Sequence, residues 1–416
     1  MLERLTVRGF KSLTCVENVE LPRMAVLFGP NAAGKSNFVE AIQVLSRLAA
    51  SRSLAEAFSE GLRGQPIEAF SFPPGGMPQL LQQSSADFEL EATLGIGPKR
   101  YLYRVKIRIN PGSGNLTVAG EQLVDLTAAR KGKGISVIEE KDGQLMIRRR
   151  TKGNGPAPQP VGLDYTLLSD VRYGHQAYRD VEKCRSEISR WRTYYLDPRV
   201  AMRRPGSPAP VQDIGTLGEH VSSFLYHLRG EDPKRFSAVF RTLRTIIPSV
   251  EGLDVDLDER RGTLEILLRQ GGRNFSSRII SEGTLRVIAL SALAVNPWSG
   301  SLLAFEEPEN GVHPRRLELI AELLLSLCLQ RKRQVLVTTH SPLFASIILR
   351  RAREDPRLVQ LFQVQQGLRG TTVRRFDSKN PLFDDQEIAR ALLSESEDAV
   401  FTGLLMRGLL DESTDD

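Results

Sequence analysis

The sequence predicts an α/β fold with a mixed, largely parallel core sheet, an antiparallel β segment and an inserted helical region. Three observations predict it. A short apolar run at 24–28 leads into Gly29, Pro30, Asn31, Ala32, Ala33, Gly34, Lys35 and Ser36, and apolar residues at helical spacing (Phe38, Ile42, Leu45) follow. Strand, glycine-rich loop and helix in that order make a phosphate-binding loop. Two later apolar runs, at 302–305 and 334–338, end in polar groups, as strands of a parallel sheet do where they deliver ligands at their C-terminal ends. Segments 88–94 and 101–109 alternate apolar and polar residues on the near side of a turn at 110–114, the pattern of antiparallel strands.

The elements follow in chain order. Residues 5–10 and 15–21 read as strands, then 24–28, then the helix from 37 to 48. The stretch 50–85 is mixed, broken at Phe72-Pro73-Pro74-Gly75-Gly76. Residues 126–160 read as the least ordered part, with basic clusters at 130–134 and 148–152 and a linker-like 153–158. Those clusters suit phosphate-backbone contact or solvated loop ends equally. Residues 163–190 read as mostly helical, 193–196 as a short strand, 201–210 as a Pro-rich loop, and 214–229 and 233–247 as helices. Strands are expected at 253–257 and 263–268, and a helix from 280 to about 295. The expected division is an N-terminal lobe at 1–125, an insertion at 126–250, a C-terminal lobe at 251–376, and a helix with an acidic tail at 377–416.

A chain of 416 residues with 41% hydrophobic and 25% charged residues has the composition of a soluble globular protein, and no apolar run is long enough to span a bilayer. The net charge of +6 is compatible with a nucleic-acid partner without requiring one. Cys15, Cys184 and Cys328 are far apart, and they show neither a metal-ligand spacing nor a disulfide framework. With no signal-peptide pattern at the N-terminus, the expected compartment is the cytoplasm.

Residue chemistry assigns the site. Backbone N–H groups from Gly29 to Gly34 and the helix that follows favour an anion. Lys35 supplies a charge for β- and γ-phosphates, and Ser36 a hydroxyl ligand for Mg²⁺. Glu306 and Glu307 end the apolar run at 302–305; Glu306 is placed to hold Mg²⁺, and Glu307 to act as general base on the attacking water. His340 follows the next run, within reach of a γ-phosphate. Ser281-Glu282-Gly283 opens a helix, which suits either a phosphate contact or an ordinary N-cap.

This order of motifs resembles the ATP-binding-cassette (ABC) class of P-loop NTPases, and within it the soluble branch of RecF, the structural-maintenance-of-chromosomes (SMC) heads and the AAA-family ATPase domains of the OLD nucleases. The opening 5–13, Asn31 and Asn37 in the loop, 306–314 and 338–342 carry the likeness. It implies an ATPase with ATP and Mg²⁺, in which two heads of a homodimer enclose two nucleotides. Ser281 and Gly283 would then reach in trans to the γ-phosphate held by the other copy. It further implies a DNA-related or effector partner, a nuclease or toxin, in phage defence or DNA repair. Competing readings are the ATPase subunit of a membrane transporter and a weakly hydrolysing ATP-gated scaffold. The chain departs from the pattern at Glu306, where Asp is usual, and at Ser-Glu-Gly-Thr in place of Ser-Gly-Gly-Gln. Gln82, Gln83 and 195–199 are the candidates for the glutamine loop. No long heptad run suggests a coiled-coil arm, and 76 residues after His340 leave little room for a nuclease domain of the OLD kind.

Overall fold

The computed structural model describes residues 1–59, 62–130, 133–149, 156–330 and 332–377. The expected helix and acidic tail of the last forty or so residues lie beyond these, Asp377 excepted, and the basic clusters at 130–134 and 148–152 lie partly beyond them.

The core is a six-stranded sheet in the order Arg192–Tyr194, Leu302–Glu306, Gln334–Thr339, Met24–Phe28, Val359–Gly367, Gly370–Arg375. All pairings are parallel except the last. The apolar runs are explained by burial on both faces. Ala25, Leu27, Leu302, Ala304 and Leu336 enter one hydrophobic core, and Met24, Val26, Phe28, Leu303, Phe305, Val335 and Val337 enter the other. A run without alternation is what a doubly covered strand requires.

The first core also holds the helix Lys35–Ala50 and the inner face of an eight-stranded antiparallel sheet. That sheet pairs Leu13–Glu20, Leu2–Phe10, Ala86–Ile96, Lys99–Asn110, Asn115–Arg130, Lys133–Lys141, Gln144–Ile147 and Gln159–Pro160 in that order. It runs further than the sequence suggests, because Lys133–Lys141 and Gln144–Ile147 are strands inside a stretch read as loop. The β-branched Ile135, Val137 and Ile138 suit a strand, with Val137 and Ile138 buried, and pairing with Asn115–Arg130 on one side and Gln144–Ile147 on the other completes it. The second core is roofed by the helices Val221–Glu231, Pro233–Ile246, Glu282–Val295, Leu317–Gln330 and Pro342–Glu354 and by the small sheet Val250–Asp258, Thr263–Gln270, Arg273–Ser276.

Two helices are shorter than their periodicity suggests. In 163–190 only Arg179–Ile188 is α-helical. Before it the Asp170 side chain accepts from Arg172 N, and His175 accepts from Ala177 N, closing single 3₁₀ turns instead. Helix Val221–Glu231 starts seven residues later than expected, because Gly215 and Gly218 adopt left-handed conformations with φ of +83° and +79°.

Glu121 is fully buried on the Asn115–Arg130 strand and accepts from Leu167 N (2.6 Å), Leu168 N (2.9 Å) and the Tyr103 hydroxyl (3.0 Å). Burial outweighs these bonds and pushes its pKa up to about 7, from 4.5. A raised carboxyl pKa means the folded chain keeps a proton that the unfolded chain has released. The stability this group contributes is complete below pH 4.5 and falls as pH rises towards 7, by about 3 kcal/mol. Glu121→Gln should therefore gain stability relative to the parent across that interval in urea unfolding; a difference that does not change with pH would show that Glu121 ionises normally.

Candidate functional site

The C-terminal ends of the parallel strands bring the expected residues together. Residues 31–37, Glu307 and Arg63 line one pocket of about 170 Å³. Its floor is the phosphate loop. Gly34 caps the helix Lys35–Ala50 with φ +102°, and Ala32 has φ +65°. Left-handed residues within such a loop turn successive N–H groups towards one point, the geometry of an anion-binding nest. Gly29 is required by crowding, since a Cβ there would sit 2.2 Å from the Val364 carbonyl oxygen.

Lys35 spans the loop, with Nζ donating to the Gly29 and Pro30 carbonyls at 2.8 Å each. Two of its three protons are so used, and the third is left for an anion. Burial pulls its pKa down, opposed by Glu307, Glu309 and Glu306, in that order. Ser36 is hydrogen-bonded to the Glu306 carboxyl, whose pKa burial raises.

Glu307 is held on three sides. Its backbone is left-handed (φ +47°) and its N–H bonds the Thr338 carbonyl at 3.0 Å. Asn310 Nδ2 donates to its Oε2 at 2.5 Å, and His340 Nδ1 shares a 2.8 Å hydrogen bond with its Oε1. A carboxylate so oriented, facing a phosphate loop, is equipped to accept a proton from a water between them.

Ser281 and Gly283 stand apart: neither lines the pocket around their own chain's loop. Ser281 is exposed and caps the helix Glu282–Val295, its Oγ accepting from Thr284 N at 3.3 Å. Gly283 is buried for a packing reason, since a Cβ there would come within 2.1 Å of the Gly311 carbonyl oxygen. Of the glutamine-loop candidates, Tyr195 borders a cleft of about 530 Å³ that also reaches Glu306, while Gln82 and Gln83 line neither this cleft nor the loop pocket.

Several residues of the site escaped the sequence reading. Arg63 donates to Glu40 through Nη2 (3.2 Å) and its own N–H (2.9 Å), and Lys11 Nζ joins the same carboxylate at 2.6 Å. Glu40 is buried one helical turn beyond Ser36, the one local signal that could have pointed to them. Ser12 accepts from Asn37 Nδ2 (2.8 Å) and shares a 2.7 Å bond with Thr371, which also donates to the Ala33 carbonyl (2.9 Å). Glu309 is buried, bonded by Thr339, and pushed by burial up to about 7; its Oε2 has no partner among the described residues.

Among solved structures the chain is similar to the SMC head domain from Thermotoga maritima (14% identity, TM-score 0.41, covering 90% of this chain and 99% of that one). It is also similar to the Smc head domain with an extended coiled coil bound to the C-terminal domain of ScpA, from Pyrococcus furiosus (13% identity, TM-score 0.45, covering 94% and 99%). No curated protein matches. A family model described as "AAA domain, putative AbiEii toxin, Type IV TA system" matches residues 24–114 and 172–346, well over half of the chain. Those stretches take in the phosphate loop, the Ser281 helix, the acidic strand end and His340, and the chain belongs to this AAA family.

Proposed function

We propose that the chain binds and hydrolyses ATP, that two copies close around two nucleotides, and that hydrolysis reopens them so that an effector partner reads the nucleotide state. The observation that carries this is Glu307, aimed by Asn310 and His340 at the rim of the pocket that the phosphate loop forms.

In this reading the loop N–H groups and Lys35 hold the β- and γ-phosphates, and Arg63 adds a guanidinium at the pocket's edge. A cleft of about 960 Å³ beside the loop, lined among others by Lys11, Ser12, Phe70 and Phe72, has room for base and ribose. The Ser36 hydroxyl and the Glu306 carboxyl already meet, and they are the oxygen donors a hard divalent cation takes. The remaining positions around such an ion would be filled by phosphate oxygens and water. Mg²⁺ bound there would neutralise charge on the phosphates. Glu307 accepts the proton of the attacking water, and His340 fixes the carboxylate and offers its ring towards the γ-phosphate.

Pairing is supported by the position of Ser281, exposed at a helix N-terminus and outside its own chain's phosphate pocket. A second copy would bring Ser281, with the helix start at Gly283, to the other nucleotide, and a twofold pair is the economical form. Effector control in defence is favoured over direct DNA repair. The family description names a toxin system, and the outer face of the antiparallel sheet is not a free basic surface. There Arg8 pairs with Glu17 and Glu89, Arg104 with Glu91, and Lys106 and Arg108 with Asp87. None of the helices among the described residues is long and apolar enough to cross a membrane.

Lys35→Ala should weaken ATP binding about a hundredfold, by loss of a charge-assisted phosphate contact; unchanged affinity by calorimetry would refute the loop assignment. Glu307→Gln should keep ATP affinity, lower kcat by about 10²–10⁴, and accumulate a pair of chains on a sizing column with ATP. Retained phosphate release in that variant would remove Glu307 as the base.

A further inference from the structure

The helix that begins at Ser281 is wired to Glu307 through one side chain. Arg286 lies near its start and is half-buried; burial lowers its pKa, with Glu282 and Glu309 opposing. Its Nη1 donates to the Asn310 carbonyl and its Nη2 to the Leu196 carbonyl at 3.0 Å. Asn310 is the same residue whose amide donates to Glu307 Oε2, and its own N–H closes on the Glu307 carbonyl at 3.1 Å. The helix and the turn also touch through backbone: a Cβ on Gly283 would come within 2.1 Å of the carbonyl oxygen of Gly311, whose φ is +72°. On the other side, Arg199 of the segment that follows Leu196 pairs with Glu282 at 3.0 Å. Arg286 itself does not line the phosphate pocket.

We propose that Arg286 is a positioning residue for hydrolysis. Its planar fork ties the Ser281 helix to the backbone of the turn that aims Glu307, so that a shift of the helix as Ser281 meets the nucleotide of a second copy is passed to the general base. The input half of this rests on the two-copy reading; the positioning half does not. A lysine at 286 keeps the charge but cannot reach two carbonyls in fixed directions. The path from Arg286 to Glu307 consists of two hydrogen bonds joined through Asn310, and a general base displaced by a fraction of an ångström loses its alignment with the water.

The test uses the full chain, with kcat, KM for ATP and ATP-dependent pairing measured for the parent, Arg286→Lys, Asn310→Ala and the double variant. Arg286→Lys is expected to leave KM within about threefold and pairing intact while kcat falls at least about tenfold. Asn310→Ala, which cuts the same path beyond Arg286, should do likewise, and the double variant should be no slower than the slower single. A purely structural role would instead raise KM and lower thermal stability together with kcat. Parent-like kcat in Arg286→Lys, or in Asn310→Ala should the first variant fail to fold, overturns the positioning role, as do losses that multiply in the double variant. Failure of the unaltered chain to pair with ATP overturns the two-copy input alone, because pairing is read separately from turnover.

Discussion

The parallel pairing of Met24–Phe28 with Gln334–Thr339 on one side and Val359–Gly367 on the other is the constraint on which the site depends. Phe28 lies in register with Thr339, and Thr338 with Glu306. Parallel hydrogen bonding puts every C-terminal end at one edge. Gly29, His340 and Glu307, the residues just past those ends, therefore emerge side by side although more than three hundred positions separate the first from the last. A slip of one residue in either ladder would reverse the alternation that buries Val26 on one face and Leu27 on the other. The hydrophobic cores thus guard the register that brings these residues together.

Long-range polar contacts hold this edge to the rest of the molecule. Gln334 opens its strand buried, accepting from Leu2 N at 2.8 Å and donating to the Leu2 carbonyl at 2.7 Å, which welds the antiparallel lobe to the parallel core. Ser12 and Thr371 brace the phosphate loop from two ends of the chain. A Cβ on Gly34 would meet the Thr371 hydroxyl at 2.2 Å, so the glycine answers to this bracing as well as to its left-handed backbone. The charges balance in the same place. Burial alone would drive Lys35 and Glu306 each towards the neutral form, and their mutual attraction with Glu307 close by opposes that for Lys35.

The sequence by itself determined the local chemistry: a strand, loop and helix at 24–48, acids closing an apolar strand at 306 and 307, and a histidine closing the next. These are legible because each depends on neighbours a few positions away, through periodicity, glycine conformations and capping. The same logic overextended the helices at 163–190 and 214–229, where side-chain caps and left-handed glycines interrupted a helical pattern. It passed over Lys133–Lys141, where the basic and glycine residues at its start outweighed the β-branched Ile135, Val137 and Ile138 that pair with Asn115–Arg130. Only the tertiary structure decided that Arg63 and Lys11 share the buried Glu40 beside the loop, that Asn310 and His340 divide the Glu307 carboxylate between them, and that Gly283 is a glycine because Gly311 leaves no room. Those contacts join segments remote in sequence, and a directed hydrogen bond or a steric limit between such segments exists only once the sheet has set their distance.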